Sequence, residues 1–131
     1  MRNEELLEFA KQAAQNAYAP YSNFRVGACI LYESGNYYCG CNVENASYGL
    51  SLCAERNAIS TAITNGENSR LLKAAVYSPD SKLCTPCGAC RQWLVEFESG
   101  QNIEIILEGE NSDVVSYSIN ELLPHYFSLN K

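Results

Sequence analysis

At 131 residues, 47% hydrophobic and 18% charged, the chain has the length and composition of a single globular domain (residues 1–131) with a real core, which excludes a disordered chain. Its net charge of −6, from nine Lys and Arg against fifteen acids, argues against a nucleic-acid binder, which normally shows a basic patch. No stretch approaches the ~20 apolar residues of a membrane span, and the opening MRNEELLEFAKQ carries acids where a signal peptide has a basic start and an apolar run; the expectation is a soluble, cytoplasmic protein with no membrane contact.

Taken in chain order, Asn3 to Tyr18 predicts an amphipathic helix, with Leu6, Leu7, Ala10, Ala13, Ala14 and Ala17 at helical spacing and Pro20 as its stop. Phe24 to Tyr32 and Tyr37 to Cys41 predict two strands, and the short link Glu33 to Asn36 makes them an antiparallel hairpin. A polar loop, Asn42 to Ser51, leads to a helix from about Cys53 to Thr64 that ends at Asn65 and Gly66. Leu71 to Tyr77 reads as a short buried strand. After the loop Ser78 to Pro86, a second helix runs from about Gly88 to Glu98. Ile103 to Leu107 and Asp113 to Tyr117 are the last strands, and the residues between them are too few for a parallel crossover, so the edge is antiparallel. A short helix near Ile119 to Leu123 precedes the tail. The order α-β-β-α-β-α-β-β predicts an α/β fold, a mixed five-stranded sheet covered by helices, with parallel strands across the two middle helices.

Seven cysteines is a high and odd count, unlike an even-numbered secreted disulfide framework. Cys29, Cys39 and Cys41 fall on strands and read as core or sheet residues. The informative segments are Cys53-Ala54-Glu55 and Pro86-Cys87-Gly88-Ala89-Cys90, each opening a helix that follows a strand. Both helix starts then meet beyond the carboxyl ends of the parallel strands. Cys87 and Cys90, three apart, can share a metal from one helical turn, and Cys53 supplies a third thiolate. Three protein ligands leave one tetrahedral position for water, the open arrangement of a catalytic zinc. Glu55 lies two residues after its helix's ligand, near that water without being a ligand. A lone C-x-x-C is a weak signal that also occurs in redox pairs and in structural sites, here one completed by a residue such as Cys84; Pro86 before the motif and the third cysteine with its acid argue against the redox pair. The single His125 sits in the tail.

Cys-Ala-Glu followed by Pro-Cys-x-x-Cys resembles the zinc deaminases of nucleosides and nucleobases, a family whose metal-activated water and non-ligand glutamate are well described. The resemblance extends through Pro20–Ala28, Gly40–Gly49, Cys53–Ala58, Pro86–Gln92 and Leu122–Pro124, in the order and spacing of the small cytidine deaminases. It implies a three-layer α-β-α sandwich and one zinc per subunit on Cys53, Cys87 and Cys90, with Glu55 as proton shuttle. The implied reaction is hydrolysis of cytidine and deoxycytidine to uridine and deoxyuridine plus ammonia, in pyrimidine salvage. Phe24 would pack on the pyrimidine. Asn42 and Glu44 would bond the ribose hydroxyls, Glu44 the 3′-hydroxyl. Glu55 and the Ala54 backbone would read the base edge, and the Thr85 carbonyl would face the departing amino group. The resemblance also implies a homotetramer with active sites built across subunits, Tyr48 and the tail aromatics being interface residues. A tail aromatic would reach a neighbour's base; Phe127 is the candidate, with Tyr126 the alternative.

Three thiolates leave a zinc site with excess negative charge, which weakens its pull on water. The two helix N-termini favour negative charge, and by the same resemblance Arg56 would donate to the ligand thiolates. Two other readings remain open from the residues. A free-base or blasticidin-type deaminase has no use for Asn42-x-Glu44, and a structural zinc module has no use for Glu55.

Overall fold

The computed structural model describes residues 1–98, 100 and 102–129. The elements follow the expected order: α1 (Asn3–Ala14), β1 (Gly27–Tyr32), β2 (Tyr37–Cys41), a 3₁₀ turn (Tyr48–Leu50), α2 (Ala54–Thr64), β3 (Leu71–Tyr77), α3 (Gly88–Val95), β4 (Glu104–Glu108), β5 (Val114–Ser118) and α4 (Ile119–Leu122).

The strands form one mixed sheet in the order β2-β1-β3-β4-β5. β1 lies antiparallel between β2 and β3, so β2 and β3 run the same way. β3 and β4 pair in parallel, and β5 closes the edge antiparallel to β4. Helices cover both faces. On one, Leu6, Leu7 and Ala10 of α1 bury Cys29, Leu31, Ala75 and Ile106. On the other, Ala58, Ile59 and Ala62 of α2 and Leu94 and Val95 of α3 bury Ile30, Val76, Ile105 and Leu107. Alternate residues of each strand thus enter opposite cores, which makes the three-layer α-β-α sandwich.

Two glycines set how close the helices come. A Cβ on Gly27 would lie 2.0 Å from the Ala10 carbonyl oxygen, and one on Gly40 would lie 2.6 Å from the Ala54 carbonyl oxygen and the Ala58 nitrogen. Only hydrogen fits at Gly40, so the first turn of α2 rests directly on β2. The Asn57 side chain fixes this contact by donating to the Cys41 carbonyl at 2.8 Å.

Three expected elements are shorter than their sequence pattern. α1 ends at Ala14 rather than Tyr18: the N–H groups of Gln15, Asn16 and Ala17 fold back three residues, and Tyr18 leaves to pair with the loop after β2 (Tyr18 N–H to Asn42 C=O 3.0 Å, Glu44 N–H to Tyr18 C=O 2.8 Å). β1 begins at Gly27 rather than Phe24, because the Phe24 carbonyl and the Val26 N–H bond to the Asn42 side chain and the Arg25 N–H to Asp80, in place of strand backbone. α3 stops at Val95, with Phe97 and Glu98 donating to i−3 carbonyls in a tightened last turn.

Candidate active site

Cys53 is the N-cap of α2 and Cys87 the N-cap of α3, both in extended backbone. Cys90 sits one turn into α3 and is fully buried. The three Sγ atoms lie within 4.8 Å of one another, and those of Cys53 and Cys87 are 4.0 Å apart. Tetrahedral zinc with Zn–S bonds of ~2.3 Å needs sulfurs about 3.8 Å apart, so the donor set and its spacing fit one zinc ion. Among the described residues this is the only such cluster, and Cys84 is outside it, which removes the four-cysteine structural site.

Charge around Cys53 is arranged to keep its sulfur ionised. Each N-cap cysteine faces the positive end of its helix. Arg56 Nη2 donates to Cys53 Sγ at 3.2 Å. The contact with Cys90 and the Arg56 guanidinium hold the Cys53 thiol down to about 5. Glu55, two residues on, is 3% exposed, and burial is the largest cause pushing its carboxyl up, with the nearby Cys53 charge adding to it. A buried carboxyl whose pKa is raised in this way is the kind of group that serves general acid–base chemistry.

Cys53, Glu55 and Cys87 open into a cavity of about 450 Å³ whose wall also includes Phe24, Asn42, Glu44, Ala54, Arg56 and Thr85. That volume suits a small organic ligand. Nearly every residue singled out in the sequence therefore meets at one place. The wall holding Phe24 is braced by the two polar residues of the loop after β2. Asn42 Oδ1 accepts from the Val26 N–H at 2.9 Å, and its Nδ2 donates to the Phe24 carbonyl at 2.8 Å, so the amide acts as a substitute strand. Glu44 accepts from the Tyr21 and Ser22 N–H groups at 2.9 and 3.1 Å and from the Ser22 hydroxyl. These bonds, the Ser22 hydroxyl first, lower its pKa and keep it ionised. Each side chain retains hydrogen-bonding capacity towards the cavity.

Phe127 lies away from this wall. It is 69% exposed, its carbonyl held at 2.9 Å by Gln92 of α3, whereas Tyr126 packs inward against the core. Arg91 ties the same region together, donating to the carbonyls of Pro86 at 2.7 Å and Leu122 at 2.6 Å. Sequence reasoning gave no role to Ser22, Arg91 or Gln92, and considered Cys84 only as a fourth structural ligand. Ser22, Arg91 and Gln92 lie within quoted motif segments, but they bond to Glu44, Leu122 and Phe127, distant in sequence. The Cys84 thiol, on the cavity wall, is pushed up to about 11 by burial and the Glu55 charge.

Among the described residues, no helix is long and apolar enough to cross a membrane. Residues 1–114 match the family model for the cytidine and deoxycytidylate deaminase zinc-binding region. The chain is 40% identical to a cytidine deaminase of Sporosarcina psychrophila over 125 residues, covering 95% of this chain and 90% of that one. It is 43% identical to a probable cytidine deaminase of Dictyostelium discoideum, covering 96% and 86%. The crystal structure of cytidine deaminase from Burkholderia pseudomallei superposes with a TM-score of 0.86 at 44% identity, over 97% of this chain and 100% of that one. Sequence, fold and the cysteine cluster agree: the chain belongs to the cytidine and deoxycytidylate deaminase family.

Proposed function

We propose that residues 1–131 act as one catalytic domain that hydrolyses cytidine and deoxycytidine to uridine and deoxyuridine, releasing ammonia, as a cytoplasmic enzyme of pyrimidine salvage. The observation that carries this is the convergence of Cys53, Cys87 and Cys90 sulfurs within 4.8 Å, beside a buried glutamate, on the wall of a nucleoside-sized cavity. Cytidine deaminases aligning over nearly the whole chain support the substrate.

Cys53, Cys87 and Cys90 would hold one zinc per subunit, and the bound metal would supply activation of a water near neutral pH. Glu55 takes up the proton of the attacking water, delivers it to N3 of the ring and later serves the leaving amino group at C4. Its buried, raised carboxyl supports both directions of transfer. The Ala54 backbone reads the base edge, the Thr85 carbonyl faces the amino group and Phe24 packs on the ring; all three line the cavity. Asn42 and Glu44 bond the ribose, Glu44 the 3′-hydroxyl. A fixed, ionised acceptor is a strict filter for a sugar hydroxyl, because an analogue lacking that hydroxyl leaves it unpaired. Arg56 offsets the charge of the thiolates so that the site still activates water.

The working form is a homotetramer with shared active sites. Tyr48, Leu50, Leu52, Ile63, Trp93 and Phe127 are exposed apolar side chains that such contacts could cover. Phe127, turned outward while Tyr126 is turned in, is the aromatic that reaches a neighbour's base.

The test is cytidine turnover by wild type and Glu55→Ala, with zinc measured on both and with deoxycytidine, cytosine and blasticidin S assayed alongside. Zinc retained and turnover lost, with activity confined to the nucleosides, supports the assignment. A Glu55→Ala enzyme of undiminished activity refutes it.

A further inference from the structure

Outside the metal site, two more cysteines meet. Cys29 on β1 and Cys39 on β2 are directly opposite one another, with their Sγ atoms 3.0 Å apart. The register fixes what kind of pair this is. The hairpin's ends bond through Asn42 N–H to Val26 C=O at 3.1 Å and Tyr32 N–H to Asn36 C=O at 3.0 Å. Hydrogen-bonded and non-hydrogen-bonded pairs alternate along an antiparallel ladder, so Val26–Asn42 and Tyr32–Asn36 being bonded makes Cys29–Cys39 a non-bonded pair. In such pairs the Cα atoms are about 4.5 Å apart and the side chains lean together. That lies inside the ~4.4–6.8 Å range a disulfide spans. Both side chains lie on the α1 face of the sheet, with Cys29 buried and Cys39 part-exposed on the edge strand β2.

We propose that Cys29 and Cys39 form a second thiol site, a dithiol that low-molecular-weight disulfides of the glutathione type convert reversibly to a cross-strand disulfide. The part-exposed Cys39 attacks first. Its thiolate displaces one thiolate from the small disulfide and forms a mixed disulfide. Cys29 then loses its proton, attacks the Cys39 sulfur and displaces the second thiolate. Two protein thiols are oxidised, one small disulfide is reduced to two thiols, and the two protons end on those leaving groups. The neighbouring sulfur holds the Cys39 thiol below its usual pKa and, together with burial, pushes Cys29 up, the order that attack by Cys39 requires. Once formed, the bond joins the two strands midway between the hairpin turn and the residues Val26 and Asn42 at its open end.

The site is independent of the catalytic reading, and so is its test. The zinc-loaded protein is equilibrated in glutathione buffers of rising oxidised fraction and its free thiols are trapped with N-ethylmaleimide. It is then cleaved at Glu33, which lies between the two cysteines, and mapped by mass spectrometry. The expected result is a linked pair of peptides, about 2 Da lighter than the sum of the reduced ones, with Cys29 and Cys39 unlabelled and Cys41 and Cys84 labelled. Dithiothreitol reverses the link. The melting temperature of the oxidised protein rises by roughly 5 °C, and neither Cys29→Ala nor Cys39→Ala shows that rise. A stable glutathione adduct on Cys39 with no link, a link from Cys29 to Cys41, or oxidation only after denaturation would each overturn the proposal.

Discussion

Arg56 Nη2 points at Cys53 Sγ from 3.2 Å, while its Nε is buried with no hydrogen-bond partner among the described residues. Lost hydration of this kind is offset by a strong local charge, here the Cys53 sulfur. Arg56→Gln removes the charge but keeps a donor. Turnover of cytidine is expected to fall ~10–100-fold with most of the zinc retained. Zinc content and kcat measured on the same preparation check this, and unchanged turnover would exclude a role for the guanidinium.

Removing the metal separates a catalytic zinc from a structural one. The two hydrophobic clusters, one holding Leu6 and Ile106 and the other Ile30, Ile59 and Leu94, include none of the three ligands. Chelation is therefore expected to abolish turnover while far-ultraviolet circular dichroism keeps its helical signal, and added Zn²⁺ restores activity. A chain that unfolds on chelation behaves as a zinc-dependent scaffold instead.

Glu44 serves both the Tyr21–Ser22 backbone and, as proposed, the sugar. Glu44→Gln is expected to lower kcat/KM for cytidine by roughly 10–100-fold, the worth of a hydrogen bond to a charged group. The same substitution should narrow the preference for cytidine over its 3′-deoxy analogue. Equal losses on both nucleosides would show that Glu44 acts on the loop alone.

Gln92 holds the Phe127 carbonyl at 2.9 Å and so aims the exposed ring. Gln92→Leu is expected to raise KM several-fold with little change in kcat, and to have no further effect in a Phe127→Ala background. If Phe127→Ala itself leaves KM unchanged, the ring does not reach a substrate. If only Phe127→Ala matters, Gln92 does not position it.

Glu67 supplies the pH dependence. Its carboxylate accepts from the Ser69 hydroxyl at 2.6 Å and the Tyr38 hydroxyl at 2.9 Å, and also from Asn36 and Ser34. These donors, Ser69 foremost, hold its pKa at about 2 against an ordinary 4.5. A depressed carboxylate contributes stability that is fully present above the unfolded value and is lost as pH falls through the folded one. Unfolding midpoints of wild type and Glu67→Gln are therefore expected to converge between about pH 4.5 and pH 2. A gap that stays constant across that window would rule out the linkage.

What was legible in the sequence was local. The limits of β2 and β3 agree to the residue, and the start of α2 to within one, because each is bounded by its own turn or cap. Spacing pairs Cys53 with Glu55 and Cys87 with Cys90 on single helical turns, and the strand-helix-strand order brings the two helix starts together. The misses are tertiary. Nothing between Asn3 and Tyr18 says that Tyr18 will abandon its helix for Val43, nor does the apolar run at Phe24 reveal that an asparagine side chain will be its partner. That Tyr126 packs inward while Phe127 is exposed likewise depends on a core neither residue's neighbours disclose.

The Asn42 amide has a consequence for redesign. The group proposed to meet the sugar is also what holds Phe24 and Val26 against the rest of the wall. Sugar preference and wall integrity are thus coupled in one side chain. A variant that admits a different sugar by changing Asn42 must restore two backbone partners elsewhere, or the reshaped pocket will lose its own wall.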